Sequence, residues 1–145
     1  MRITTQGEYA MRVLVRLASV YQNASEREYI VAPVSVTKLA GWEDLSRAYV
    51  EQLLLRLRRG GIVNSRRGVH GGYFLSRPPE NITVKDVLDA LDEQFVTPCE
   101  YPTVCNHGVG CGLRILWEGL GICVGEYLAS KTLADVQKMM QGGGL

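Results

Sequence analysis

The stretch SRAYVEQLLLRLRRGGIVNSRRGVHGGYFLSRPP, residues 46–79, constrains the fold more than any other part of the chain. Ser46 has the side chain of a helix N-cap. Tyr49, Val50, Leu53, Leu54 and Leu57 follow at the steps of an amphipathic helix over Arg47 to Arg59. Gly60 and Gly61 stop that helix. The residues after them alternate as a strand, break at Gly68 and at Gly71-Gly72, resume as a strand and end at Pro78-Pro79. This is a β-hairpin whose tip carries Arg66 and Arg67.

Upstream, Tyr9, Met11, Val13, Leu14, Leu17, Ala18 and Tyr21 recur at helical spacing and predict a first helix from Thr4 to Tyr21. Residues 22–34 are polar and then proline-broken, hence a loop. Ser35 caps a short helix, Val36 to Ala40, ended by Gly41, and the turn GWEDL joins it to the helix that Ser46 opens. Helix, helix, helix, hairpin is the order of a winged helix-turn-helix, so the chain is mainly α with a small β-hairpin. Thr83 caps a further short helix, Val84 to Leu91, and closes a DNA-binding type of domain over residues 1–92. At 145 residues the chain is long enough for one such core, with roughly two thirds of its unfolded surface buried.

Residues 93–112 are a cysteine-bearing loop, and residues 113–140 hold a long helix and a short terminal one. Leu113, Leu116, Leu120, Cys123 and Tyr127 step by three, four, three and four residues, a two-heptad seam on the long helix. A seam that leaves a small domain needs a partner, and a second copy of the chain is the simplest one. The competing reading packs the stripe against the winged helix of the same chain. TLAD at Thr132 has the form of a capping box for the last helix, and residues 141–145 are expected to be a disordered tail.

The formal charge of +1 conceals an asymmetry. Residues 46–77 hold seven arginines against the single acid Glu51, a balance of +6, whereas residues 78–145 have a balance of −5. A basic module followed by an acidic one points to a polyanion, double-stranded DNA, as partner of the first. The N-terminal turn of the second helix in a helix-turn-helix enters the major groove, so Ser46, Arg47, Tyr49, Glu51 and Gln52 are candidate base readers. Gln52 suits adenine and Glu51 the N4 amine of cytosine. Arg66 and Arg67, beside glycines that allow close backbone approach, suit phosphates or a narrow minor groove. Tyr49 also reads as a core residue, Glu51 and Gln52 as a solvated face, and His70 as an exposed turn residue.

CEYPTVCNHGVGC, residues 99–111, places Cys99, Cys105 and Cys111 at equal steps of six. Structural zinc sites use two-residue knuckles instead. Grouped thiolates of this kind suit an iron-sulfur cluster, [4Fe-4S] or [2Fe-2S], whose fourth ligand is a substitute donor. No window reaches the roughly 20 apolar residues of a membrane span, and the N-terminus lacks a signal-peptide run, so a cytoplasmic location is expected. In that reducing setting a metal site is favoured over a disulfide framework. Cys123 is a poor fourth ligand, because a helix from residue 112 carries it about 16 Å away, and it is read as a buried seam residue. His107 within the loop and Glu8 of a paired chain remain as candidates.

The opening MRITTQGEYAMRVLVRLA, the segment YVEQLLLRLRRGGIVNSRRGVHGGYFLSRPPENITVKDVLDALD and the C-x5-C-x5-C loop followed by LRILWEGL together resemble the Rrf-two family of bacterial transcription regulators, over nearly the whole chain. The resemblance implies a homodimeric winged-helix regulator with an iron-sulfur cluster between its DNA-binding domain and its dimerisation helix. It matches Cys99, Cys105 and Cys111 to the cluster cysteines, and Tyr49, Glu51, Gln52 and Arg67 to groove-contacting positions. IscR-like members have a histidine ligand three residues after the third cysteine, where this chain has Arg114. NsrR-like members use an acidic residue near the partner's N-terminus, and Glu8 falls there.

The expected function is therefore a repressor whose DNA affinity follows a cluster that senses redox state, nitric oxide or iron supply. Two alternatives stay open: a cluster-free regulator with a thiol/disulfide switch, and a small iron-sulfur electron-transfer protein. No Ser/His/Asp arrangement, phosphate-binding glycine loop or paired-carboxylate motif supports catalysis or a small-molecule substrate.

Overall fold

The computed structural model describes residues 3–22, 31–93 and 111–143. Among these residues the order is α1 (Thr5–Gln22), α2 (Val36–Glu43), α3 (Arg47–Arg59), β1 (Val63–Arg66), β2 (Gly72–Leu75), a 3-10 turn (Pro79–Asn81), α4 (Val84–Ala90), α5 (Gly112–Ala129) and α6 (Leu133–Gly142). The apolar stripes found in the sequence are the faces that meet. Ala10, Val13, Leu14 and Leu17 of α1, Leu39 of α2, Val50, Leu53, Leu54 and Leu57 of α3, and Val87 of α4 form one core with Ile62, Val63 and Leu75 of the hairpin. Fully burying each valine, leucine or isoleucine side chain among them contributes about 1.5–3 kcal/mol.

The strands pair antiparallel, with Val63 opposite Leu75 and Arg66 opposite Gly72. Val34 adds an isolated bridge to Tyr73, with both backbone bonds at 2.9 Å. Gly72 is required there: its φ is +150°, and a Cβ would lie 2.3 Å from the Val34 carbonyl oxygen. The hairpin is thereby locked to the chain entering α2 and becomes the wing of a winged helix.

Two expectations are corrected. The second helix does not end at Gly41. It runs to Glu43 and ends where Asp44 takes a left-handed φ of 53°. Glycine within a helix costs about 1 kcal/mol, and here the turn beyond it is held by Arg16 Nε donating to Glu43 Oε1 at 2.6 Å and by Lys38 lying over the Trp42 ring. The last helix likewise continues to Gly142, so residues 141–142 are helical and not a disordered tail. Cys123, expected within a seam that a partner covers, is exposed in the single chain.

Two capping boxes attach the C-terminal part to the winged helix. Thr83 with Asp86 opens α4, and Thr132 with Asp135 opens α6. The two threonines form a β-bridge, with Val84 N donating to Lys131 O at 2.8 Å and Leu133 N to Ile82 O at 2.9 Å. Leu133 enters the common core. In Asp86, burial acts to raise the carboxyl pKa, but bonds from the Thr83 N–H and hydroxyl and the charge of Arg77 outweigh it and the net shift is downward. The Thr132 N–H and hydroxyl lower that of Asp135 in the same way.

Candidate nucleic-acid interface and cysteine segment

Ser46 opens α3 with its Oγ accepting from the Tyr49 N–H at 3.2 Å. This hydroxyl is therefore a cap as well as a surface group. Arg47, Glu51 and Gln52 project from the exposed side of the first two turns of α3. Tyr49 departs from them: it is half-buried, packs on the core and meets the Tyr9 ring edge-to-face at 6.0 Å. Its ring links α1 to α3, as the competing core reading held. Arg66, Arg67, Val69 and His70 are exposed on the wing, and Val69 is 97% exposed. Arg66 lies over Phe74 at 5.8 Å, which holds its guanidinium along the hairpin.

Two of the seven arginines in the basic stretch turn inward. Arg77 donates to Asn81 O at 2.8 Å and Gly61 O at 3.2 Å, and pairs with Asp86 at 3.2 Å. Arg56 donates to Gln6 Oε1 at 2.9 Å and Leu91 O at 2.7 Å, and reaches Asp92 Oδ2 at 3.5 Å. The charge count overstated the outward-facing positive surface because composition does not distinguish a side chain that binds carbonyls from one that faces solvent. The exposed arginines of this stretch are Arg47, Arg58, Arg59, Arg66 and Arg67. The phase of Arg56, between Leu53 and Leu57, was the available clue that it faces the body.

Cys99, Cys105 and His107 lie outside the described residues. Cys111 is described: it is the half-buried N-cap residue of α5, a free thiol with no side-chain capping bond. Glu8 lies in the first turn of α1, with its side chain 59% exposed and Oε1 2.6 Å from Arg12 Nη2. That bond and the Glu8 charge raise the Arg12 pKa. Among the described residues no three His, Cys, Asp or Glu side chains gather into a metal-binding group. α5 itself has no buried residue over its 18 positions, and Leu113, Leu116 and Leu120 are 60, 57 and 42% exposed. The stripe therefore does not pack on the winged helix of its own chain. Among the described residues no helix is long and apolar enough to cross a membrane.

The profile of the Rrf2 family, described as iron-dependent transcriptional regulators, matches residues 3–139. The chain belongs to the Rrf2 family. Its sequence is 36% identical over 144 residues to the HTH-type transcriptional regulator IscR of Cereibacter sphaeroides, covering 95% of this chain and 88% of that one. Among solved structures, IscR of T. potens superposes with a TM-score of 0.76 at 30% identity, covering 100% of this chain and 92% of that one. CymR, the global cysteine regulator of B. subtilis, gives 0.69 at 31% identity, covering 96 and 98%. Like them, this Rrf2 protein is a winged-helix transcription regulator and not an enzyme. The fold expected from the sequence is the one observed.

Proposed function

We propose that the protein is a homodimeric repressor whose operator affinity is set by an iron-sulfur cluster, held by Cys99, Cys105 and Cys111 of one chain and Glu8 of the other. The observation that carries this reading is α5: 18 residues with none buried, headed by the last of the three cysteines. Its exposed leucines are a self-complementary stripe, and pairing two copies removes them from water. The donors that the structure describes fit the group. Cys111 is a free thiol at a helix start, the end of the dipole that favours an anionic ligand. Glu8 offers an exposed carboxylate engaged by Arg12, itself exposed.

When bound, such a cluster supplies a link that responds to oxidants, nitric oxide and iron supply. The chain's own residues do the rest. Arg12 holds the Glu8 carboxylate at the start of α1, Cys111 fixes the entry to α5, and the two winged helices present α3 to successive major grooves. Arg47, Glu51 and Gln52 read base edges, Ser46 and Tyr49 hold the first turn of α3, and Arg66 and Arg67 grip the backbone.

Likeness to Staphylococcus aureus CymR, solved in an oxidized form, at 26% identity and a TM-score of 0.69, favours a second reading, in which two of the three cysteines form a disulfide on oxidation and no cluster is held. One experiment separates them. Protein purified without oxygen is examined by visible absorption, by iron and sulfide content per chain and by light scattering. The first reading requires colour, iron and sulfide in a dimer. A colourless, iron-free dimer that loses two thiols on mild oxidation establishes the second. Binding to duplex DNA that falls steeply with salt yet discriminates between sites excludes a simple electron carrier.

A further inference from the structure

We propose that Arg56 is the positioning residue through which the cysteine segment and the start of α1 set the placement of α3. This rests on the cluster reading above. Arg56 belongs to the last turn of α3, the helix assigned to the DNA groove, yet its guanidinium faces away from the exposed side of that helix. Nη1 donates to Gln6 Oε1 at 2.9 Å, and Gln6 lies two residues before Glu8. Nη2 donates to the carbonyl oxygen of Leu91 at 2.7 Å and reaches Asp92 at 3.5 Å. Leu91 caps α4, and the segment bearing Cys99, Cys105 and Cys111 starts immediately after Glu93.

One guanidinium thus joins three pieces: the recognition helix, the turn that carries the oxygen donor and the root of the segment that carries the sulfur donors. A second contact ties the last two to each other. The Glu93 carboxylate accepts from the Thr4 N–H at 3.3 Å and from the Thr4 hydroxyl, and Gly7 leaves room for it, since a Cβ there would lie 2.7 Å from Glu93 Oε2. A displacement of residues 91–93 or of the first turn of α1 is therefore transmitted to Arg56, alongside the Tyr9–Tyr49 contact that also joins α1 to α3. The planar, multi-donor guanidinium suits this task; a lysine ammonium on a flexible stem cannot hold separate acceptors in fixed directions. Because each chain lends Glu8 to its partner and its cysteines to its own site, Arg56 also places both half-sites under one restraint.

The test uses the full-length dimer, loaded and cluster-free, and a duplex selected from a random pool by the loaded wild-type protein. Coupling between sites commonly amounts to a 5–150-fold change in affinity. Arg56→Gln is expected to keep the visible absorption and iron content of the wild type and to reduce the loaded-to-free affinity ratio to within about twofold. Arg56→Lys falls between the two. A ratio in Arg56→Gln equal to that of the wild type overturns the proposal. Should Arg56→Gln not fold, Gln6→Ala, which removes one arm only, is expected to lower the ratio and overturns the proposal if it does not.

Amide hydrogen exchange judges Arg56 independently of the cluster. Arg56→Gln should speed exchange at Glu8 and at residues 91–93 by about tenfold, with the amides of Val13 to Ala18 unchanged. Unchanged exchange at the first set overturns the tie even if the protein proves colourless, whereas a colourless wild type with the expected exchange overturns only the cluster reading.

Discussion

The winged-helix body and α5 both carry leucine stripes and meet opposite fates. In α3, Leu53, Leu54 and Leu57 are no more than 1% exposed, whereas in α5 Leu113, Leu116 and Leu120 are 42 to 60% exposed. Both segments carry leucines at helical spacing, so the period does not distinguish them. What differs is the supply of neighbours. α3 is crossed by α1, α2, α4 and the hairpin within a single chain, and α5 is held mainly along α4. An apolar helix face without enough neighbours is an interface awaiting a partner. The body fills its own core, and α5 offers the face that the proposed dimer would cover.

The contrast breaks most severely in the core. Leu57→Ala removes a fully buried side chain and is expected to cost about 2–5 kcal/mol. Chemical denaturation followed by circular dichroism should show this loss in the body. Next in size, Leu116→Glu puts a charge into the unburied stripe. It is expected to weaken self-association by at least about 30-fold, roughly 2 kcal/mol, while the variant keeps its folded winged helix. Sedimentation at a series of concentrations checks this. A dimer of unchanged strength would mean that α5 is not the interface.

Between those two regions lies the seam of capping boxes. Thr83→Ala should cost about 1 kcal/mol in thermal unfolding. Asp86 and Asp135 sharpen the same point through pH. Both carboxyl groups sit below the ordinary aspartate value in the folded state, so the unfolded chain takes up protons first as pH falls. Their contribution is complete above the ordinary value of about 4 and disappears as pH drops through the lower folded values. Unfolding measured from pH 6 down to pH 3 should show this loss, and Asp86→Asn should flatten the slope. The smallest effect belongs to Lys85→Ala, which removes an exposed pair with Asp89 and should change stability by under about 0.5 kcal/mol.

Much of this was legible from local chemistry. The limits of α3 followed from the Ser46 cap and from Gly60, the start of α4 from the Thr83 cap and the capping box of α6 from TLAD, because such signals act over three or four residues. The end of α2 was misread at Gly41, since what extends that helix is Arg16, 27 residues away in sequence, pairing with Glu43. The bonds of Arg56 to Gln6 and to Leu91 and the Glu93–Thr4 contact were not legible, because each depends on a partner 35 or more residues away in sequence. Cys99, Cys105 and Cys111 were singled out as candidate donors by residue type and spacing, and Glu8 by its place at the start of the first helix and by the family resemblance.

Sequence alone determined the helices, the hairpin, the basic stretch and the rhythm of the cysteines, because periodicity, capping and turn chemistry are short-range properties of the chain. Only the tertiary structure decided which arginines face solvent, which leucines remain uncovered and which residue binds α3 to both Gln6 and Leu91. Those outcomes depend on which surfaces meet when the elements pack, and packing brings together residues as far apart as Thr4 and Glu93.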